Sequence, residues 1–202
     1  MAGSSDHDAN RWYYPGMPKL SVVIGSTRPG RIGLPVGQWF AELAKGHGKF
    51  QVTLVDLKEL NLPLLDEPKH PRLAEYVHEH TKAWSEIVKA ADAFVFVTPE
   101  YNYSVAPALL NAIDYLFHEW AYKAAGFVSY GGVSGGMRSV QALKQPLSTL
   151  KVVGIPEAVT ITFFAQLMEN GVFKGSEALE KAGATMLDEL LRWTEALTVL
   201  RK

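Results

Sequence analysis

The sequence has no cysteine, no strong charge of either sign and no long apolar run, and each absence excludes a class of protein. Because none of its 202 residues is cysteine, the chain can hold no disulfide, catalytic thiolate or iron–sulfur cluster. Its net charge of −1 argues against a nucleic-acid-binding protein, which normally carries a strongly basic face. No stretch reaches the roughly 18 apolar residues that a membrane span needs. We therefore expect a protein that binds neither nucleic acid nor membrane.

Residues 1–17 are polar and are interpreted as an N-terminal extension. They contain no apolar core of a signal peptide, so we expect a cytoplasmic protein. Trp12, Tyr13 and Tyr14 are unusual in such a segment, and we expect them either to fold back onto the domain or to contact another subunit. Residues 18–202 are enough for one domain with a full core.

Strand and helix signals alternate along residues 18–202. Short apolar runs predict five strands, at Leu20–Ile24, Phe50–Asp56, Ala93–Val97, Gly126–Tyr130 and Glu157–Thr162. Apolar residues at helical spacing predict helices at Leu34–Lys45, Leu73–Ala91, Pro107–Trp120, Ser139–Leu150 and Ser176–Leu200. Strands that alternate with helices pair in parallel through right-handed crossovers. The predicted fold class is therefore α/β, with a doubly wound open sheet.

Three polar loops follow the first, third and fourth predicted strands. We call residues 25–33 the first loop, residues 98–104 the second loop and residues 130–138 the third loop. Each is rich in Gly, Ser, Thr, Tyr or Asn. Doubly wound sheets bind ligands at the carboxyl ends of their strands, so together the three loops form the candidate site.

The first loop has the composition of a phosphate-binding turn. Ser26 and Thr27 supply hydroxyl donors, and Arg28 and Arg31 supply positive charge in a fork that fits phosphate. The start of the following helix also favours an anion, and two arginines there would oppose the helix dipole unless an anion were bound. The first loop thus favours a ligand with a terminal monophosphate.

Three alternative interpretations of the first loop stay open. A P-loop requires Lys and then Ser or Thr after its last glycine, whereas this chain has Arg31 and Ile32. A dinucleotide-binding loop requires G-x-G-x-x-G, which is absent, although Asp56 could serve as its ribose-binding carboxylate. The third alternative is a glycine-rich turn that only joins strand to helix.

The second and third loops suit a flat heteroaromatic ligand. Tyr101 and Tyr103 can stack on a ring, and the amide of Asn102 can pair with its edge. Glu100 could orient the second loop by accepting backbone N–H bonds. The four glycines among residues 131–136 let backbone approach a ligand closely. For both loops, a turn that only packs or connects is the alternative.

Other catalytic arrangements are not evident in the sequence. The histidines share no convincing ligand spacing with carboxylates, and His78 and His80 would face different sides of the predicted helix. No Ser–His–Asp arrangement or G-x-S-x-G motif stands out. We therefore predict no metal site.

All three loops resemble, in residues and order, the NAD(P)H-dependent FMN reductase family, which includes quinone, azo-dye and chromate reductases. The resemblance covers roughly residues 18–195 and is carried by Gly25–Arg31, Thr98–Ser104 and Tyr130–Arg138. It implies a flavodoxin-like fold with a five-stranded parallel sheet in the order 2-1-3-4-5. It also implies an FMN-binding domain over residues 18–202 and assembly into a homodimer or homotetramer.

The resemblance assigns cofactor-binding residues position by position. Those around the FMN phosphate are Ser26, Thr27, Arg28, Arg31, Ile32 and Gly33. Those along the isoalloxazine ring and ribityl chain are Pro99, Glu100, Tyr101, Asn102 and Tyr103. Those bordering the ring are Tyr130, Gly131, Gly132 and Ser134.

The resemblance implies hydride transfer from NADPH or NADH, through bound FMN, to a small acceptor such as a flavin or a quinone, in ping-pong order. The cofactor carries this chemistry, so we predict no catalytic side chain. One alternative is an electron carrier that holds FMN without turning over NAD(P)H. Such carriers are usually strongly acidic, whereas this chain has a net charge of −1. Another is a nicotinamide dehydrogenase without flavin.

Overall fold

A parallel five-stranded sheet is the frame of the computed structural model, which describes residues 16–201. Its strands are β1 (Lys19–Ile24), β2 (Gln51–Asp56), β3 (Ala93–Pro99), β4 (Ala124–Tyr130) and β5 (Val153–Ile161). They lie in the order β2-β1-β3-β4-β5, and all neighbours are parallel. This confirms the predicted doubly wound sheet and its strand order. The expectation for Trp12, Tyr13 and Tyr14 lies outside the described residues, and the boundary between residues 17 and 18 stays a prediction.

Helices cover both faces of the sheet, which explains why its strands are so apolar. One face carries α1 (Gly33–His47) and α6 (Glu177–Leu197), and the other carries α3 (Glu79–Ala90), α4 (Pro107–Asp114) and α5 (Met137–Thr149). The two central strands, β3 and β4, are buried at every position. Among residues 16–201, no helix combines the length and the apolarity needed to cross a membrane.

The helix predicted over Leu73–Ala91 is the largest error in the secondary structure. The observed α3 begins only at Glu79. Ala74 has a left-handed backbone with φ of 52°, which interrupts a helix. The Glu67 carboxylate, from a distant part of the loop, accepts the backbone N–H groups of residues 77 and 78. These contacts hold the segment before α3 extended, and no local sequence pattern encodes them.

The remaining predictions differ mainly at element ends and in short elements. The helix predicted over Pro107–Trp120 ends at Asp114, and only a 3-10 turn follows at residues 118–120. The short helix α2 (Leu57–Leu60) was not predicted, although Asp56 caps it by accepting the N–H of Lys58. A small hairpin, β6 (Met168–Glu169) with β7 (Val172–Phe173), was also missed. Its two linking residues are Asn and Gly, a strong hairpin signal.

Candidate cofactor-binding site

The three loops meet in a cleft at the carboxyl edge of the sheet. The register pairs Ile24 with Val97 and Pro99 with Tyr130, so the loops that follow are neighbours. The cleft has a volume of about 230 Å³. It is lined by Arg28, Arg31, Ile32, Pro99, Glu100, Tyr101, Tyr130, Gly131, Gly132 and Phe164. All of these except Phe164 are among the predicted site residues.

Donors in the first loop lack acceptors within the protein. In the described part of the chain, the N–H groups of Ser26, Thr27 and Arg28 donate to no protein acceptor. Ser26 Oγ is buried and forms no hydrogen bond there either. It lies beside the hydroxyl of Tyr130. Since buried polar groups are nearly always paired, the buried Ser26 hydroxyl beside these N–H groups indicates a site for an acceptor-rich ligand.

Gly33 allows α1 to begin close to these donors. A Cβ at this position would lie 2.7 Å from the Tyr130 hydroxyl oxygen and 3.2 Å from Ile24 Cγ2, and it would overlap Ser26 Oγ. Gly33 is the first residue of α1, so the positive end of the helix dipole adjoins the first loop. Glycine is therefore required here for space.

The two arginines of the first loop are held differently. Arg28 is exposed at the cleft. Arg31 instead forms a two-pronged ion pair with Asp56 and donates to the carbonyl oxygen of Ser26 at 2.8 Å. Asp56, weighed above as a ribose ligand, therefore has an arginine partner. Arg28 is the cation that remains available to a ligand in the cleft.

A strained reversal forms the second loop. Tyr101 and Ser104 exchange backbone hydrogen bonds of 3.1 and 2.9 Å. Between them, Asn102 and Tyr103 have φ of 50° and 66°, the pattern of a type I′ turn, which a tyrosine rarely adopts. The Arg138 guanidinium lies 3.7 Å from the centroid of the Tyr103 ring. This cation–π contact helps to hold the strained turn at the rim of the cleft.

Glu100 joins the second loop to the third. Its side chain is 7% exposed. It accepts hydrogen bonds from Ser134 Oγ at 3.0 Å, from the Arg138 backbone N–H at 3.1 Å and from Arg138 Nε at 2.7 Å. Glu100 does accept a backbone N–H, as the sequence suggested, but from the third loop and not from its own. Its carboxylate therefore fixes the two loops relative to each other.

The third loop is packed at one end and open at the other. A Cβ on Gly136 would lie 2.9 Å from both the backbone nitrogen and oxygen of Tyr130, and Gly136 has φ of 84°. Gly132 faces open space, so a ligand can approach its backbone. Burial raises the pKa of Tyr130 to about 12, which keeps its hydroxyl neutral near pH 7.

Phe164 is the cleft residue that the sequence analysis missed. It starts the 3-10 turn at Phe164–Leu167, after β5, and packs edge-on against Tyr130 with ring centroids 5.8 Å apart. The carboxyl end of the fifth strand reaches the same edge as the others, which was the available signal. Six predicted residues do not line the cleft, namely Ser26, Thr27, Gly33, Asn102, Tyr103 and Ser134.

The histidine pair does not behave as the sequence suggested. His78 precedes α3 instead of lying within it, so the expectation that the two rings face different ways is wrong. The rings of His78 and His80 stack with centroids 5.1 Å apart. Over residues 16–201, no group of three or more His, Asp or Glu side chains is arranged to hold a metal ion.

Comparison with known proteins identifies relatives by sequence and by fold. The profile of the family described as NADPH-dependent FMN reductase matches residues 18–166. A Schizosaccharomyces pombe protein named NAD(P)H-dependent FMN reductase is 39% identical over 157 residues, covering 77% of this chain and 78% of that protein. A Solanum tuberosum protein named NAD(P)H:quinone oxidoreductase is 46% identical over 134 residues, 63% of this chain and 66% of that protein. The solved structure of FerB, a flavoenzyme from Paracoccus denitrificans, has a TM-score of 0.70 at 24% identity and covers 89% of this chain and 98% of its own.

Proposed function

Because the chain belongs to the NADPH-dependent FMN reductase family, we propose that the cleft between its three loops holds FMN. The protein is an FMN-dependent oxidoreductase that uses NAD(P)H. We also propose which residues hold FMN and which molecules accept the electrons. The observation that best supports FMN in this cleft is the buried, unpartnered Ser26 Oγ beside the open N–H groups of the first loop.

The first loop fits the phosphate end of FMN. Ser26 Oγ and the N–H groups of residues 26–28 supply uncommitted donors, and Arg28 supplies a charge. A phosphate accepts several hydrogen bonds at once and prefers charged donors. Thr27, Ile32 and Gly33 complete this end of the site, with Gly33 providing the space. Arg31 acts here mainly through its contact with the loop backbone.

The second and third loops fit the flat end of the cofactor. Tyr101, Tyr130 and Phe164 supply aromatic surface in the cleft, and Gly131 and Gly132 let a ring approach the backbone. Pro99 and Glu100 form the wall between them. Asn102, Tyr103 and Ser134 lie at the rim, where we propose that they contact the ring or its ribityl chain.

Bound FMN supplies the hydride acceptance and the electron transfer. The residues of the chain bind it, orient it and exclude water from its buried side. Two ionisable groups in the cleft already have partners, since Glu100 is paired with Arg138 and Arg31 with Asp56. The Tyr130 hydroxyl stays neutral because burial raises its pKa to about 12. These assignments support the prediction that no side chain acts as a general acid or base.

The acceptor is a small molecule, and we propose a quinone or a free flavin. Four exposed apolar side chains of the neighbouring loops, those of Tyr103, Val133, Met137 and Phe163, suit a flat apolar acceptor. Relatives named quinone reductase and azoreductase support a small-molecule acceptor of this kind.

We also propose that the enzyme is a homodimer or homotetramer that works in the cytoplasm.

Flavin binding followed by turnover tests the proposal. The purified protein is mixed with FMN and its visible spectrum recorded, and oxidation of NADPH and NADH is then followed with a quinone, free FMN and an azo dye. We expect a yellow complex and turnover with at least one acceptor. A protein that binds no FMN would contradict the proposed site. A protein that binds FMN but oxidises neither nicotinamide would instead support the electron-carrier alternative.

A further inference from the structure

Arg31 and Asp56 form a buried ion pair behind the first loop. Their two N···O distances are 2.5 Å, and their side chains are only 6% and 14% exposed. Asp56 is the last residue of β2 and pairs in register with Ile24, the last residue of β1. The ion pair therefore links the loop that follows β1 to the end of the neighbouring strand.

Asp56 is itself fixed on its other side. Its carboxylate accepts the backbone N–H of Lys58 at 3.0 Å, at the start of α2. A carboxylate that caps a helix and also receives a planar guanidinium has little freedom to move. Asp56 therefore offers Arg31 a rigid anchor, which an exposed carboxylate would not provide.

Arg31 connects this anchored carboxylate to the backbone of the first loop. Its Nη1 donates to the Ser26 carbonyl oxygen at 2.8 Å. That carbonyl and the N–H of Thr27 belong to one planar trans peptide and point in opposite directions. Holding the oxygen toward Arg31 therefore turns the Thr27 N–H away from it, and this N–H has no acceptor among residues 16–201.

The ion pair also explains an arginine at an unfavourable place. Arg31 lies two residues before the start of α1, where a positive charge opposes the helix dipole. The Asp56 carboxylate balances that charge. The charge of Arg31 is thus directed into the fold, whereas Arg28 remains exposed at the cleft.

We propose that Asp56 is a positioning residue for the cofactor phosphate. Acting through Arg31, it sets the Ser26–Thr27 peptide so that the donors of the first loop converge on one phosphate. The inference rests on the proposed function, since it presupposes FMN in the cleft. It requires no contact between Asp56 and the cofactor.

FMN and riboflavin differ only by the phosphate, so their affinities separate this role from general damage. The dissociation constants of both are measured by flavin fluorescence for the wild type and for Asp56→Asn, which keeps the side-chain size and removes the charge. For Asp56→Asn we expect FMN binding to weaken about 10-fold, as for the loss of one hydrogen bond to a charged group. Riboflavin binding should stay unchanged.

The matched control is a second Asp–Arg pair at the opposite edge of the sheet. Asp92 and Arg201 lie 3.1 Å apart, with side chains 22% and 18% exposed. Asp92→Asn should therefore alter neither flavin affinity. If Asp56→Asn weakens FMN and riboflavin equally, the effect is general and the positioning role is overturned.

Combining variants tests whether Asp56 works through Arg31. Arg31→Gln together with Asp56→Asn should weaken FMN binding no more than the stronger single variant, because both break one contact. Additive losses would overturn the proposal. Arg31→Lys keeps the charge without the two-pronged geometry, so we expect it to lose the preference for FMN over riboflavin, as Asp56→Asn does. If Asp56→Asn does not fold, Arg31→Lys takes its place in the test.

The affinities of the wild-type protein separate the hypothesis of a phosphate site from the hypothesis that Asp56 positions it. If it binds riboflavin as tightly as FMN, the proposed phosphate site itself is contradicted. If it prefers FMN and Asp56→Asn keeps that preference, the positioning role alone fails.

Discussion

The two edges of the sheet, at the amino and the carboxyl ends of its strands, differ in how their polar groups are paired. At the amino edge, the Lys123 amine donates to the carbonyl oxygen of Val88 at 2.6 Å. Asp92 there accepts both the backbone N–H of Lys19 and the Arg201 guanidinium. At the carboxyl edge, Ser26 Oγ is buried with no partner in the described part of the chain. The groups at the amino edge pair within the protein, although Arg201 Nε has no partner among residues 16–201, whereas the open donors at the carboxyl edge belong to a loop that lines the cleft.

Left-handed backbone occurs at both edges, since Tyr122 and Lys151 at the amino edge have φ of 59° and 62°. Positive φ values occur in the second and third loops at Asn102, Tyr103, Gly135 and Gly136, and just after β5 at Phe163. Such conformations cost free energy in non-glycine residues and persist where surrounding contacts impose them. The carboxyl edge differs in that residues of three polar loops converge there on one cleft, as expected of a binding site. The contrast predicts that changes at the carboxyl edge alter flavin binding, whereas changes at the amino edge alter only stability.

The largest expected effect comes from filling the space at Gly33. In Gly33→Ala the new methyl group would collide with Ser26 Oγ and lie 2.7 Å from the Tyr130 hydroxyl oxygen. Either the first loop or the start of α1 must shift. We expect FMN binding to weaken by about 3 kcal/mol, the upper range for overpacking a close-fitting site. Isothermal titration with FMN measures the change.

Gly46→Ala is the matched control for Gly33→Ala. Gly46 lies in the same helix, and a Cβ there meets nothing within 4 Å. This variant should bind FMN normally and gain about 0.5–1 kcal/mol of stability, because alanine is the better helix residue. If Gly33→Ala binds FMN as tightly as Gly46→Ala does, the phosphate does not depend on this space.

Removing the exposed charge of the first loop should have the next largest effect. Arg28→Ala should weaken FMN binding by about 1.5–3 kcal/mol, the range for a hydrogen bond to a charged group. Because Arg28 is exposed, we expect little change in the melting temperature. Titration with FMN and with riboflavin checks this result. Unchanged FMN affinity would contradict the phosphate role of Arg28.

The amino edge should make the stability of the fold depend on pH without changing the affinity for FMN. Burial, together with the nearby charge of Arg201, lowers the pKa of Lys123 to about 8. Between pH 8 and 10 the unfolded chain still holds the proton on this lysine, whose ordinary pKa is about 10.4, while the folded chain loses it. Raising the pH therefore favours the folded state, by about 1–2 kcal/mol over this range.

Lys123→Met should abolish that part of the pH dependence. Chemical denaturation of both proteins at pH 8, 9 and 10 measures it as the difference between their unfolding free energies. FMN affinity should be the same in both proteins. If Lys123→Met weakens FMN binding, the two edges are not independent and the comparison fails.

Local sequence patterns were enough for the sheet and for the loops that line the candidate cleft. Continuous apolar runs marked β1 and β3 because both are covered by helices, and glycine, serine and tyrosine just after them marked the cleft. The composition of the first loop led to Arg28 and Ser26. The Asn170-Gly171 turn was equally visible but was not used.

Contacts between distant residues could not be predicted in this way. The Asp56 carboxylate partners Arg31 from 25 positions away, and Glu67 holds back the start of α3 across a long loop. Phe164 enters the cleft only because β5 ends beside β4. For the first two contacts, the partner is determined by the register of the sheet or by the path of a loop, and no spacing along the chain reveals it; for Phe164, the end of the fifth strand is the available signal.

A crystal structure of the protein with FMN bound tests the central claim most directly. We predict the phosphate within hydrogen-bond distance of Ser26 Oγ and the Thr27 N–H, with Arg31 still on Asp56 and the ring between Tyr101 and Gly132. A phosphate bound elsewhere, or a first loop whose donors are covered by the chain's own side chains while FMN is bound, would contradict it.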